Sequence, residues 1–241
     1  MNGIKLVKYS AVIAAAVLLA STGRVNAMTV GWQNDAGETA ITLNGGTVGL
    51  AVGDIVELGI FKNNMSNAAI SALFLGVPGN GTAIQSAFNV WASGAIGDGG
   101  SGGTVLGAFA ENSGPAGAGY FTSNAFLVVF NVTSVGGISG ATQMGVFKGP
   151  STGATSGDNW LFPATDGSTA NFAVADITGA NVLIGSYGSG TYDDSAANGA
   201  TGWYGSGANA LELAQVVPEP STYMLVGMGL LGAWGLRRRR S

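Results

Sequence analysis

The residues best suited to holding a ligand cluster between Tyr187 and Tyr204. Tyr187, Tyr192, Trp203 and Tyr204 supply four of the eleven Tyr and Trp residues of the chain, with Asp193, Asp194 and Asn198 among them. Flat aromatic faces suit sugar rings, carboxylates and amides fix hydroxyl groups, and glycines let a ligand approach the backbone. Tyr192, Asp193, Asp194, Trp203 and Tyr204 are therefore the candidate ligand residues, with polysaccharide as the ligand. The same stretch also reads as a solvated acidic turn, with Trp203 and Tyr204 capping the edge of a core. Asp193, Asp194 and Asn198 offer oxygen atoms of the kind calcium takes, but their spacing matches no known loop, so no metal is assigned.

Other chemistry is thinly supplied. Glycoside hydrolysis needs two carboxyl groups about 5 to 10 Å apart across a sugar. Asp54 and Glu57 are near neighbours in GDIVELGIF, but strand alternation sends them to different faces, where they read as ordinary exposed charges. Asp98 and the glycines around Ser101 look like a phosphate cradle, yet no Lys follows and no strand-loop-helix context surrounds them, so a flexible loop is expected. Asn80-Gly81-Thr82 and Asn131-Val132-Thr133 fit glycosylation sequons. Asn131 falls in an expected buried strand, and both sequons read as incidental. The chain has no His and no Cys, which removes disulfides, thiolate nucleophiles, imidazole bases and Cys or His zinc sites. No catalytic residue and no cofactor is assigned, and the expectation is a protein that is not an enzyme.

The elements that would position any site read as β-structure. Charged residues make up 9% of the chain and Gly 42 of 241 positions, against about 25% charged and about 7% Gly in ordinary globular chains. Short apolar runs alternate with Gly, Asn, Ser and Thr clusters. Strands are expected at Thr39–Leu43, Ile55–Phe61, Phe126–Val132, Met144–Phe147, Phe172–Ile177 and Val182–Gly185, with a turn at Asn44-Gly45-Gly46. Asn67–Leu75 fits a short helix or a strand equally. Gly94–Gly119 is expected to be a long loop. Six or more short strands without disulfides predict an all-β domain, an antiparallel sandwich or jelly roll with Gly-rich loops.

Charge is segregated along the chain. Seven of the nine basic residues lie at the ends, leaving Lys62 and Lys148 against thirteen Asp and Glu, a net charge of −11 between the ends. So acidic a surface repels phosphate backbones, which argues against nucleic acid as a partner.

The ends themselves read as addresses. Lys5 and Lys8 precede an apolar run from Tyr9 to Ala20, with Val25 and Ala27 ahead of Met28. This is the layout of a signal peptide over 1–27, cut between Ala27 and Met28 by signal peptidase. At the other end, Pro218-Glu219-Pro220 is followed by an apolar stretch from Tyr223 to Leu236 and by Arg237, Arg238, Arg239 and Arg240. Fourteen residues make about 21 Å of helix against a hydrocarbon core of about 30 Å, so a short transmembrane helix over about 221–236 needs snorkelling arginines to span. The arginines fix the tail on the cytoplasmic side and place everything before Pro218 outside. Gly229, Gly232 and Gly235 either leave one helix face bare for another helix or keep the anchor marginal.

The order Pro-Glu-Pro, apolar stretch, arginine run resembles the PEP-CTERM sorting signal. The resemblance covers 217–241 and implies recognition by a membrane protease of the exosortase class, in bacteria that typically make exopolysaccharide. It implies a route across the inner membrane, a transient membrane anchor, and a final place at the cell surface, in the outer envelope or in extracellular matrix. Some proteins with such tails are labelled ice-binding, but the threonine ranks common in ice binding are absent, since there is no Thr-x-Thr. The exported domain over 28–216 is thus expected to be a structural surface or matrix protein associated with exopolysaccharide. A carbohydrate-binding β-sandwich and a hydrolase using carboxylates alone are the alternatives.

Overall fold

The computed structural model describes residues 28–34, 39–45, 48–75, 80–97, 109–112, 119–150, 160–165, 167–189 and 209–216. Its strands are β1 (Thr29–Asn34), β2 (Thr39–Thr42), β3 (Ile55–Phe61), β4 (Phe88–Ala95), β5 (Phe109–Asn112), β6 (Phe126–Phe130), β7 (Gln143–Lys148), β8 (Thr169–Ala173), β9 (Val182–Ile184), β10 (Ser186–Ser189), β11 (Asn209–Glu212) and β12 (Ala214–Gln215). Two short helices, α1 (Asn67–Leu75) and α2 (Asn80–Ala87), separate β3 from β4. Most of the structure is strand in antiparallel sheets, as the composition predicts.

The centre is a six-stranded sheet in the order β12-β7-β6-β3-β4, with β9 also paired to β7. β6 sits in its middle, hydrogen-bonded to β3 on one side and β7 on the other. Its sequence, FLVVF, is buried at all five positions. A strand covered on both faces must read as an unbroken apolar run, and aromatic and β-branched side chains fit the pleat. Alternation divides these residues between two cores. Leu127 and Val129 join Val56, Leu58 and Phe147 in one cluster, while Phe126, Val128 and Phe130 join Ile55, Met144 and Val146 in the other.

Different partners cover the two faces. The first cluster takes in Met28 just before β1, Val30 and Trp32 of β1, Phe172 of β8, Ile41 of β2 and Leu211 of β11. These belong to two three-stranded sheets, β5-β1-β8 and β10-β11-β2. Trp160 stacks on Phe172 with ring centroids 5.2 Å apart and donates its indole N–H to Asp176 at 3.1 Å. Gly149 makes room for this indole, because a Cβ there would collide with Trp160. The second cluster takes in Ile70 of α1, Ile84 of α2 and Ile138 of a 3-10 segment at Val135–Gly140. The Ser66 hydroxyl caps α1 by accepting the Ala69 N–H at 3.2 Å, satisfying one orphan donor of the first turn.

Several expectations need correction. Two pairings are parallel, β1 with β8 and β11 with β2, so the sheets are not purely antiparallel. The expected strand at Phe172–Ile177 is displaced: β8 ends at Ala173 and Val174–Asp176 turns as 3-10 helix, with the Asp176 carboxylate accepting the Ala173 N–H. The stretch Gly94–Gly119 is not all loop, since β4 runs to Ala95 and β5 lies within it. Asn67–Leu75 is a helix, and the second helix at Asn80–Ala87 was masked in sequence by its Gly and Thr. Asn131 lies one residue beyond β6, half-buried, where its carboxamide bridges Thr142 and Gln143. The signal segment 1–27 and the membrane helix at about 221–236 lie outside the described residues. Among the described residues no helix is long and apolar enough to cross a membrane.

Candidate functional site

At one end of the central sheet, the C-terminus of β3, the N-terminus of β6 and the C-terminus of β7 come together, and Lys148 pairs directly with Phe126. An open cleft of about 490 Å³ lies there. One wall is the link from β3 into α1, contributing Phe61, Asn64, Met65 and Asn67; the other is the segment before β6, contributing Phe121, Thr122, Ser123 and Asn124. Phe61 anchors the floor, packed against Phe88 at 5.0 Å and edge-on to Phe126 at 5.1 Å.

Both walls are held in conformations that L-residues seldom adopt. Asn63, Asn64 and Thr122 have φ of 56°, 49° and 57°, and they are the described non-glycine residues with positive φ. Local hydrogen bonds sustain the second wall: Thr122 and Ala125 donate to the carbonyls of Phe162 and Trp160, and Phe162 donates back to Ser123. Tyr120 pins the same wall to β4 through its hydroxyl, which donates to the Val90 carbonyl at 2.8 Å. Burial pushes that phenol up from its ordinary range. A backbone over-determined in this way keeps its side chains in place without a ligand.

Among the described residues the lining carries one cation and no carboxylate. Lys62, the other cation between the ends, is committed: its ammonium donates to the Ser86 carbonyl at 2.6 Å, at the end of α2. The Lys148 ammonium has no hydrogen bond or ion pair among the described residues. Beside it, Asn64, Asn67, Asn124, Thr122 and Ser123 offer amides and hydroxyls. The Asn124 Oδ1 is buried and without a donor among the described residues.

The acids singled out by sequence behave otherwise. Asp54 and Glu57 are both buried, at 5% and 1% exposure, which overturns the expectation of ordinary exposed charges. Their separation by alternation holds. Glu57 faces the helices and accepts a hydrogen bond from the Gln85 amide of α2 at 3.1 Å, whereas Asp54 accepts the Ala51 N–H of its own turn at 2.9 Å. Burial pushes both carboxyls above their ordinary range, partly offset by these hydrogen bonds. Neither lines the cleft, and they do not converge as a catalytic pair. Among the described residues no group of three or more acidic side chains could hold a metal ion.

Tyr192, Asp193, Asp194, Trp203 and Tyr204 lie outside the described residues, as do Asp98, Asn198, Ala27, Pro218, Glu219, Pro220 and Arg237 to Arg240. Met28 is fully buried in the first cluster. Tyr187 lies in β10, partly buried against the same cluster. The cleft was missed in the sequence because its parts come from three distant segments. The one legible signal was Lys148, isolated in an acidic domain.

No curated protein and no solved structure matches the chain. One family model does match, the PEP-CTERM protein-sorting motif, over residues 216–240. That signal implies export and processing by an exosortase, with the protein ending at the cell surface or outside the cell. Residues 216–240 thus carry a PEP-CTERM protein-sorting motif, and the match says nothing of the domain before it.

Proposed function

We propose that this is a structural protein of the cell surface or extracellular matrix that associates with exopolysaccharide and works by binding rather than turnover. The single observation that carries the reading is the sorting motif at 216–240. An N-terminal signal peptide cut after Ala27 would start the same route, and a short helix over 221–236 would hold the protein in the membrane until the tail is processed. The first core cluster supports a sandwich-type scaffold, since it unites the central sheet with both small sheets. Binding rather than hydrolysis is favoured because Asp54 and Glu57 are each sealed in separate surroundings.

Replacement of Arg237 to Arg240 by Ser tests the route, because the cationic flank orients the tail. The variant should accumulate unprocessed in membrane fractions and be depleted from the surface. Unchanged surface delivery together with unchanged tail removal would contradict the reading.

A further inference from the structure

We propose that the cleft beside Lys148 is a subsite for an acidic sugar, the Lys148 ammonium pairing the sugar carboxylate while the wall amides and hydroxyls bond the ring hydroxyls. The inference rests on the reading that the protein acts among extracellular polysaccharide, and it names the glycan chemistry the domain selects.

Charge decides the first point. The domain over 28–216 sets twelve carboxylates against two lysines, so an acidic neighbour would be the ordinary surroundings of a surface lysine here. Lys62 is held by a backbone carbonyl, and Lys148 opens onto a cleft with no carboxylate among its described lining residues. The net charge disfavours a long polyanion at a distance, but such fields are screened beyond about 8 Å at physiological ionic strength. Among the described lining residues the one charge is Lys148, and a partly enclosed site screens its attraction less.

The neutral lining decides the second. A bare inorganic anion needs clustered N–H donors or cations, whereas this site surrounds one ammonium with three asparagines, a threonine, a serine and phenylalanine rings. Amides and hydroxyls both donate and accept, which matches sugar hydroxyl groups, and apolar ring faces suit the C–H face of a pyranose. The volume of about 490 Å³ falls in the usual range for small-ligand sites, about 300 to 1,000 Å³. The wall at Thr122 is fixed beforehand by its backbone hydrogen bonds, which lowers the ordering cost of binding.

The test is titration of the full chain in detergent micelles with trigalacturonate, followed by calorimetry. Trigalacturonate should bind, its methyl ester about tenfold or more weaker, and sulfate at equal concentration should not displace it. Lys148→Gln should weaken trigalacturonate binding by about tenfold, the scale of one lost charge-assisted hydrogen bond. Lys62→Gln removes the same charge nearby and should leave binding unchanged. Wild-type affinity in Lys148→Gln, equal binding of the ester, equal loss in Lys62→Gln, or displacement by sulfate would each overturn the site. Those results leave tail processing untouched, while failure of the arginine variant to missort would sink the surface reading and leave a binding result standing.

Discussion

Glu57 and Lys148 sit on β3 and β7, the two strands that flank β6, and the same sheet treats them in opposite ways. Glu57 is in mid-strand under α2, 1% exposed, with a single side-chain donor from Gln85. Lys148 is the last residue of its strand, where the helical cover has ended and a cleft begins. Position along the strand, more than residue type, decides which charge becomes part of the core and which faces solvent.

The Glu57 site has a further internal logic. Glu57 Oε2 and Gln85 Oε1 are both buried without partners, while Gln85 Nε2 already donates to Glu57 Oε1. Two unpaired acceptors on facing groups call for one proton between them. A protonated Glu57 would donate from Oε2 to Gln85 Oε1 and close a two-bond acid–amide ring, which fits the upward shift that burial imposes on this carboxyl. The cleft has no such closure, because the Lys148 ammonium makes no hydrogen bond among the described residues.

The largest expected effect breaks the closed site. Gln85→Leu leaves Glu57 buried without its donor, and stability at pH 7 should fall by about 2 to 3 kcal/mol in urea unfolding, the cost of an orphaned buried acceptor. A loss within about 0.5 kcal/mol would mean that Glu57 is solvated and the contrast with Lys148 is false.

A smaller effect of opposite sign is expected for Glu57→Gln. A carboxyl whose folded pKa lies above its unfolded value binds more protons in the native state, so its contribution is fully present below the unfolded value of 4.5 and is lost as pH rises through the folded pKa. Asp54 acts in the same direction from 3.8. The wild-type protein should therefore lose stability from mildly acid to neutral pH on account of these groups. Glu57→Gln keeps the amide-type pairing without the charge, so it should gain about 1 kcal/mol at pH 7 and show a flatter dependence of melting temperature on pH above 4.5. An unchanged slope would assign the pH dependence elsewhere.

The legibility of these regions in the sequence follows from the same physics. β3 was readable to the residue, at Ile55–Phe61, and the apolar run of β6 placed the central strand, because strands buried on both faces write themselves as continuous apolar runs. β1 (TVGWQN) and β4 (FNVWASGA) mix Gly and polar residues with apolar ones, so local pattern did not separate them from loops. β2 was read, but its parallel partner β11 is some 170 positions away, and no local signal encodes that pairing. The burial of Glu57 was illegible for a related reason: alternation gave its face correctly, but not that a Thr- and Gly-containing helix would cover that face. The cleft joins 60–67, 121–126 and Lys148, a juxtaposition that only the sheet register supplies.

The smallest expected effect belongs to the open site. Lys148→Met removes the charge but keeps an unbranched chain of similar length, so the apolar stem can still lie along Phe126, its register partner. Since the ammonium has no partner among the described residues, nothing buried is left unsatisfied, and the change should alter unfolding free energy by no more than about 0.5 kcal/mol. The salt dependence of the melting temperature should also stay close to that of the wild type, because no ion pair among the described residues is lost. A loss above about 1 kcal/mol would show that Lys148 supports the sheet end, as Glu57 supports the helix cover, and the two charges would then differ in degree of burial but share a structural role. A neutral result, set beside a clear loss in Gln85→Leu, would mark Lys148 as a residue that the fold does not need, with its ammonium left to face the cleft.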